Sequence, residues 1–384
     1  MLRKAVLAGA GALGVSSAGA AYIYRPRPWA DPPEDPLCER AEQDDDFLMK
    51  TSRVITFVTG TAAFLLVLHV LNKFEVKDDE HYRVFVEAVR NRPSGVPLLT
   101  VANHCSTLDD PGVFVGMLPT SVTARPDLMR WTLCAKEICF QGEAAQAFFG
   151  AAKTMPICRG SGIDQRLLLN FYRRLLAGGW CHIFPEGRCE QSGSLGGRAP
   201  GPSRDEFGRL KWGVAKMIAH APVTPLVIPV FHTGMANVMP LNPFTRKILH
   251  TLPRHGNTVT ARAGPAISFA DLIEEHERWH GPLRKMVATD GEESGRGGEA
   301  GAGRVKTGAG ARTAPLSGDV EGDIVWRSTP EERQLYSRIA RRVEDALLKL
   351  EAEARQDLGD DYPGWPSESA EVLRLARQGS RSAT

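Results

Sequence analysis

Apolar and polar positions alternate along this chain in two distinct periods. Apolar runs of strand length occur at Leu98-Leu99-Thr100-Val101-Ala102, Trp131-Thr132-Leu133-Cys134-Ala135, Met155-Pro156-Ile157, Trp180-Cys181-His182-Ile183-Phe184 and Pro225-Leu226-Val227-Ile228-Pro229-Val230. Each reads as a buried strand, with Pro229 placing the last of them at an edge or a bulge. Between these runs apolar residues recur at helical spacing. Residues 80–92 carry Tyr82, Phe85, Val86 and Val89 on one face, and further helices are expected over 144–152 and 167–176, the latter ended by Gly178-Gly179. Strands alternating with helices indicate an α/β domain, here spanning residues 75–287. Beyond it, Thr329-Pro330-Glu331-Glu332 opens a capped amphipathic helix over 329–358, with Leu335, Ile339, Val343, Leu347 and Leu350 on one side.

The same pattern divides the rest of the chain. Residues 1–30 hold Arg3, Lys4, Arg25 and Arg27 and no acid, the composition of a targeting segment. Residues 31–53 turn acidic and Pro-rich and read as a linker. Val54 to Leu71 then carries no charge except on a protonated His69, about 27 Å at helical rise. That length fits a spanning helix, a helix inserted in one leaflet or a core helix; we read residues 54–72 as membrane-associated within one leaflet. Residues 191–206, rich in Gly, Ser and Pro, are expected to form a flexible loop. A disordered insertion is expected at 288–328 and a flexible tail at 359–384.

Composition narrows the function classes. A formal net charge of +2 offers no overall field for nucleic acid, so no nucleic-acid partner is expected. Seven cysteines without paired C-x-x-C spacing suggest reduced thiols. Cys181, His182 and Cys189 lack a fourth ligand at finger spacing, so no metal is assigned. Gly9-Ala10-Gly11-Ala12-Leu13-Gly14 matches a dinucleotide-binding pattern, but Pro26, Pro28, Pro32 and Pro33 follow before a second strand can form. No cofactor is assigned either.

The chemistry concentrates at Asn103-His104-Cys105-Ser106-Thr107-Leu108-Asp109-Asp110-Pro111, between a strand end and a helix start. His104 with Asp109 five residues on makes a general-base pair, the carboxylate fixing one ring nitrogen. Unpartnered amides of the following helix are expected to face the same spot. The plainer reading, in which Asp109 or Asp110 only caps that helix, stands beside it. About eighty residues later Phe184-Pro185-Glu186-Gly187-Arg188 caps another strand. Gly187 permits close backbone approach and Arg188 supplies charge for a phosphodiester. Glu186 is expected to fix the shape of the site by bonding arginines or the amides near His104. His232, with no carboxylate near it in sequence, reads as structural or substrate-contacting.

Together the two motifs resemble the glycerophospholipid acyltransferase family, which carries Asn-His-x4-Asp followed by Phe-Pro-Glu-Gly. Met129-Arg130-Trp131, Ile138-Cys139-Phe140, Cys158-Arg159-Gly160, Lys211-Trp212-Gly213 and His232-Thr233-Gly234-Met235 resemble a mitochondrial branch that transfers acyl chains between phospholipid and lysophospholipid and remodels cardiolipin. The resemblance covers roughly residues 75–270. It implies a central, mostly mixed β-sheet flanked by helices, with His104 and Asp109 catalytic and Arg159, Glu186, Gly187 and Arg188 binding the acceptor phosphate. Val227, Ile228 and Pro229 would line an acyl pocket, and Trp212 would lie near lipid or in the core. Phospholipid, lysophospholipid and a mitochondrial membrane surface are the implied partners, with homo-oligomers left open. An acyl-CoA-dependent lysophosphatidate acyltransferase and a non-catalytic lipid-binding protein are the competing readings. No Gly-x-Ser-x-Gly elbow is present, and direct transfer without an acyl-enzyme is expected.

Overall fold

The computed structural model describes residues 47–191, 194–198, 204, 208–242, 245–283 and 328–365. The expected targeting segment, the acidic part of the linker, most of the Gly-rich insertion and the end of the tail lie outside these residues. The chain opens on helix α1 (Phe47–Leu65), continued by a wider turn over Leu66–Val70. Then follow β1 (Lys73–Val76), α2 (Glu80–Asn91), β2 (Leu98–Ala102), α3 (Asp109–Met117), α4 (Thr120–Thr123), β3 (Trp131–Ala135), α5 (Lys136–Cys139), α6 (Glu143–Ala151) and β4 (Thr154–Ile157). The second half comprises α7 (Arg166–Leu176), β5 (Trp180–Ile183), α8 (Gly213–His220), β6 (Leu226–Thr233), α9 (Met235–Val238), β7 (Thr258–Ala263), α10 (Ala270–His280) and α11 (Pro330–Leu358).

The seven strands form one mixed sheet in the order β1-β7-β6-β2-β5-β3-β4. Five of them, β6, β2, β5, β3 and β4, run parallel, while β7 and β1 run the other way. Strand alternation sorts side chains to two cores. Leu98 and Ala102 face a layer holding Phe57, Phe64, Phe85 and Phe114 from α1, α2 and α3. Leu99 and Val101 face α7, α8 and α11 through Phe171, Met217, Ile339 and Val343. Every residue of β2 is buried, as a central strand covered on both faces must be.

Helix α1 begins at Phe47, seven residues before the uncharged stretch, because Lys50 and Arg53 sit on its exposed and flanking sides without interrupting the inner stripe. That stripe is Phe57, Thr61 and Phe64, continued by Leu68. Gly112 of α3 lets α1 come close, since a Cβ there would lie 3.0 Å from the Phe64 ring. Phe47, Leu48, Val54, Ile55 and Val58 point outward and are exposed.

One expectation needs correction, and three others can be set beside the structure. Cys134 and Cys139 are joined by a disulfide, since the end of β3 and the single turn of α5 bring their Cα atoms to 6.1 Å. Of the two positions expected for Pro229, an edge or a bulge, the structure has the bulge, since β6 lies between β2 and β7. Its missing N–H is accommodated by a bulge, where the three steps from Val227 to Val230 face the four from Ala263 to Ile267. The described part of the Gly-rich loop is tied down, with Leu195 N–H donating to Glu351 at 3.0 Å and Arg198 N–H to the Arg209 carbonyl at 2.8 Å. Residues 359–365, expected to be loose, fold back from α11. Trp365 is buried there, and Thr233 Oγ1 donates to the Gly364 carbonyl at 2.9 Å.

Candidate active site

Because β6, β2 and β5 are adjacent and parallel, their C-terminal ends deliver His232, His104 and Glu186 to one edge of the sheet. Crevices beyond the carboxyl ends of parallel strands are the usual ligand sites of such sheets. His104 Nδ1 lies 2.9 Å from Asp109 Oδ2, whose side chain is fully buried, while the His104 side chain keeps 20% of its surface exposed. Nδ1 therefore carries the hydrogen and Nε2 is the basic nitrogen.

The same Asp109 oxygen accepts the Cys105 and Ser106 amides at 2.7 and 2.8 Å. Asp109 thus closes the turn and orients the imidazole at once, and the capping reading and the catalytic one describe a single geometry. The His104 amide is also occupied: it donates to Glu186 Oε1 at 2.6 Å, and Glu186 Oε2 accepts the Gly196 amide at 2.5 Å. The amides of residues 104–106, which precede the helix whose amides the sequence points to, are all occupied. Glu186 joins the two motifs through a backbone amide, not through an arginine.

Aromatic rings carry the imidazole. His104 stacks on Phe184 at 4.1 Å with an interplanar angle of 13°. Phe184 meets His182 edge-on at 4.4 Å, and His182 meets Phe114 at 4.7 Å, so the base rests on a column rooted in the core. Trp180 Nε1–H and His182 Nδ1 both converge on Thr100 Oγ1 at 2.9 Å, fixing the foot of that column.

Charges follow burial and partners. Burial favours neutral His104, yet the Cys189 sulfur and the Asp109 carboxylate overcome it and hold the imidazole well above its usual 6.5. Burial would raise Asp109, but His232 and His104 keep it below 3.8. Burial raises Glu186 to about 7, the His104 amide opposing. His232 has a carboxylate neighbour through space that the sequence did not reveal: its Nε2 lies 3.8 Å from Asp109 and 2.9 Å from the Asn103 carbonyl. The Asn103 side chain exchanges both of its hydrogen bonds with the His232 backbone, so this histidine is a buried brace behind the pair.

The remaining expected residues divide. Gly187, at φ 73°, and Arg188 are exposed at the tip of the turn after β5. Arg188 lies 3.7 Å from Glu190. Arg246 lies 3.5 Å from the same carboxylate and donates to the Cys189 carbonyl at 2.8 Å. Fifty-seven residues separate Arg246 from Cys189, and no motif announces it. Arg159 stands at the end of β4, three strands from β2 and on the order of 14 Å away along the sheet, paired with Glu137 at 3.6 Å. Strand alternation sends Val227 and Ile228 into the two opposite cores, and Pro229 packs at the bulge. Trp212 packs against the α7-side core, with the Arg198 guanidinium 5.6 Å from its ring.

Three buried groups, Cys105, Asp109 and His232, stand close enough to hold a cation. Asp109 already has three hydrogen-bond donors and His232 Nε2 is turned to the Asn103 carbonyl, so the donor set does not suit a resident metal.

The sheet edge thus presents an Asn-His-x4-Asp turn against a Phe-Pro-Glu-Gly turn. Residues 83–233 match the family model described as Acyltransferase. Among curated proteins it is similar to tafazzin of Drosophila melanogaster, 31% identical over 235 residues, covering 60% of this chain and 56% of that one. It is also similar to taffazin of Dictyostelium discoideum, 34% over 184 residues, 47% and 58%. An N-acylphosphatidylethanolamine synthase of Arabidopsis thaliana is 40% identical over 191 residues, 49% and 61%. The chain thus spans about three fifths of the length of the curated relatives it matches.

Proposed function

We propose that this protein is a membrane-associated transacylase that moves a fatty acyl chain between a phospholipid and a lysophospholipid, in cardiolipin remodelling at a mitochondrial membrane. The observation that carries the reading is the 2.9 Å bond from His104 Nδ1 to buried Asp109, which leaves Nε2 of a partly exposed ring as the base, with Arg188 and Arg246 gathered around Glu190 at the neighbouring turn. His104 Nε2 takes the proton of the acceptor hydroxyl as that oxygen attacks the acyl carbonyl. When the tetrahedral intermediate collapses, the imidazolium returns the proton to the departing lysophospholipid oxygen. Asp109 stabilises the imidazolium throughout. Acyl chain, acceptor and donor exchange without a covalent enzyme intermediate and without a cofactor.

Arg188 and Arg246 are the acceptor's phosphate ligands in this scheme, their planar forks suited to two phosphate oxygens. Membrane association rests on α1, whose inner face packs on the domain and whose outer face is apolar. A helix held along its length in this way lies in one leaflet. The mitochondrial assignment draws on the basic, acid-free residues 1–30 and on the tafazzins among the relatives.

A second reading has a specific support in the Arabidopsis relative: the acceptor is the amine of a phosphatidylethanolamine, and the product an amide. One experiment separates the readings. Purified protein is given labelled phospholipid with lysophospholipid, or with phosphatidylethanolamine, each with and without acyl-CoA, and the products are weighed by mass spectrometry. Label moving to lysophospholipid without acyl-CoA supports the transacylase, and its loss in His104→Ala assigns the base. Turnover only with acyl-CoA, or only into an amide, overturns it.

A further inference from the structure

Cys189 lies against the base. Its Sγ is 3.1 Å from His104 Nε2 and 3.7 Å from Nδ1. A sulfur in line with the Nε2 lone pair would be much farther from the second nitrogen, so this one rests against the side of the ring. It leaves the outward direction of Nε2 to an acceptor hydroxyl, while the 3.1 Å contact keeps the sulfur next to the base. Among the described cysteines Cys105 and Cys181 are buried, Cys134 and Cys139 are bonded to each other, and only Cys158 and Cys189 are partly exposed. Of these two, Cys189 has a base oriented by a carboxylate beside it and two guanidinium groups at its turn, Arg188 and Arg246. Partial exposure, a neighbouring base and nearby positive charge are the setting of a reactive thiol.

We propose that Cys189 is a covalent modification site for soft carbon electrophiles, specifically α,β-unsaturated carbonyl compounds, and that its adduct closes the acyl-transfer site. In the reaction the sulfur forms a bond to the β-carbon of the electrophile and the π electrons move to the carbonyl oxygen. The thiol proton passes to His104 Nε2 and then to the α-carbon, so no oxidant or leaving group is involved. A lipid surface is a ready source of this class, since polyunsaturated acyl chains break down to such carbonyls. The adduct occupies the space beside Nε2 through which the acceptor hydroxyl must come. This consequence rests on the transacylase reading, whereas the labelling does not.

The test uses N-ethylmaleimide on the full chain, with Cys158 as the internal reference and peptide mass spectrometry to resolve the sites. In the wild type Cys189 labels about tenfold or more faster than Cys158, and in both His104→Ala and His104→Gln its advantage disappears. Transacylase activity falls in step with Cys189 labelling, lysophospholipid slows both, and Cys189→Ala keeps its activity under the reagent. Cys189 reacting no faster than Cys158, or a Cys189→Ala enzyme inactivated as quickly as the wild type, overturns the proposal. Fast, His104-dependent labelling in a protein that transfers no acyl group under any donor leaves the modification site standing and removes the transacylase instead.

Discussion

The carboxylate of Glu186 holds the backbone amide of His104 at 2.6 Å, joining two motifs eighty-two residues apart through a single buried bond. Its other oxygen takes the Gly196 amide, so the side chain is an acceptor on both sides. Glutamine keeps one acceptor and turns an NH2 toward the remaining N–H. Glu186→Gln should therefore lower kcat by about 100-fold, the scale of a catalytic group displaced by roughly 1 Å, with little change in acceptor KM. Chemical denaturation should show a loss of about 1–3 kcal/mol from the unpaired amide. Because Glu186 is raised to about 7 in the fold, its own contribution to stability is complete below 4.5 and declines as pH rises through 7. The glutamine variant should lose that slope, which denaturation curves between pH 4.5 and 7.5 will reveal.

The pair of His104 and Asp109 sets the pH dependence. His104 is held well above 6.5 and must be neutral to act as base, so kcat should rise with pH along a limb whose midpoint lies above 6.5. Asp109→Asn removes one of the two groups that raise it, the Cys189 sulfur being the other. The midpoint should move down, and kcat should fall by about 10³–10⁴, as when the orienting carboxylate of a catalytic triad is neutralised. The stability signs oppose each other: the His104 contribution is full below 6.5 and lost as pH rises through its folded value, while the depressed Asp109 contributes above 3.8 and is lost as pH falls through its own. An unshifted limb in Asp109→Asn would show that some other group titrates there.

Much of this arrangement was legible from local pattern. The apolar runs at Leu98 to Ala102 and Trp180 to Phe184 read as strands because residues buried on both faces need no alternation, and they became adjacent central strands. His104 and Asp109 could be paired because five residues across one turn leave few other geometries. What escaped was set by strand order. Nothing local says that β2 lies between β5 and β6, which is what sets His232 beside Asp109, and leaves Arg159 three strands away. Cys189 and Arg246 were invisible as site residues because their roles come from tertiary contacts alone. The disulfide escaped because cysteine count and spacing do not report the turn that brings Cys134 to Cys139.

Arg246 and Arg159 give a direct contrast. Arg246 stands with Arg188 on either side of Glu190, one residue from the sulfur that touches His104, whereas Arg159 is across the sheet with Glu137. Arg246→Ala should raise KM for the lysophospholipid about tenfold, the scale of one charge-assisted hydrogen bond, and leave kcat near its original value. Arg159→Ala should change KM less than twofold on the strength of an exposed ion pair alone. Steady-state kinetics with a single lysophospholipid decides, and the reverse ranking would return the phosphate to Arg159.

Helix α1 separates attachment to the domain from attachment to lipid. Phe64 is buried against Gly112 and Met235, so Phe64→Ala should cost about 3–5 kcal/mol of stability through the cavity it leaves. Ile55 and Val58 lie on the outer face at 58% and 48% exposure, where a charge disturbs no packing. The double change Ile55→Glu and Val58→Glu should leave the melting temperature within a few degrees, since surface substitutions seldom exceed about 0.5 kcal/mol. Its affinity for anionic phospholipid vesicles should fall at least about tenfold, from lost apolar burial and from repulsion at the surface. Co-sedimentation with vesicles and thermal denaturation, run on both variants, give four numbers. If the Glu pair sediments with vesicles as the wild type does, the outer face of α1 is not what meets the membrane.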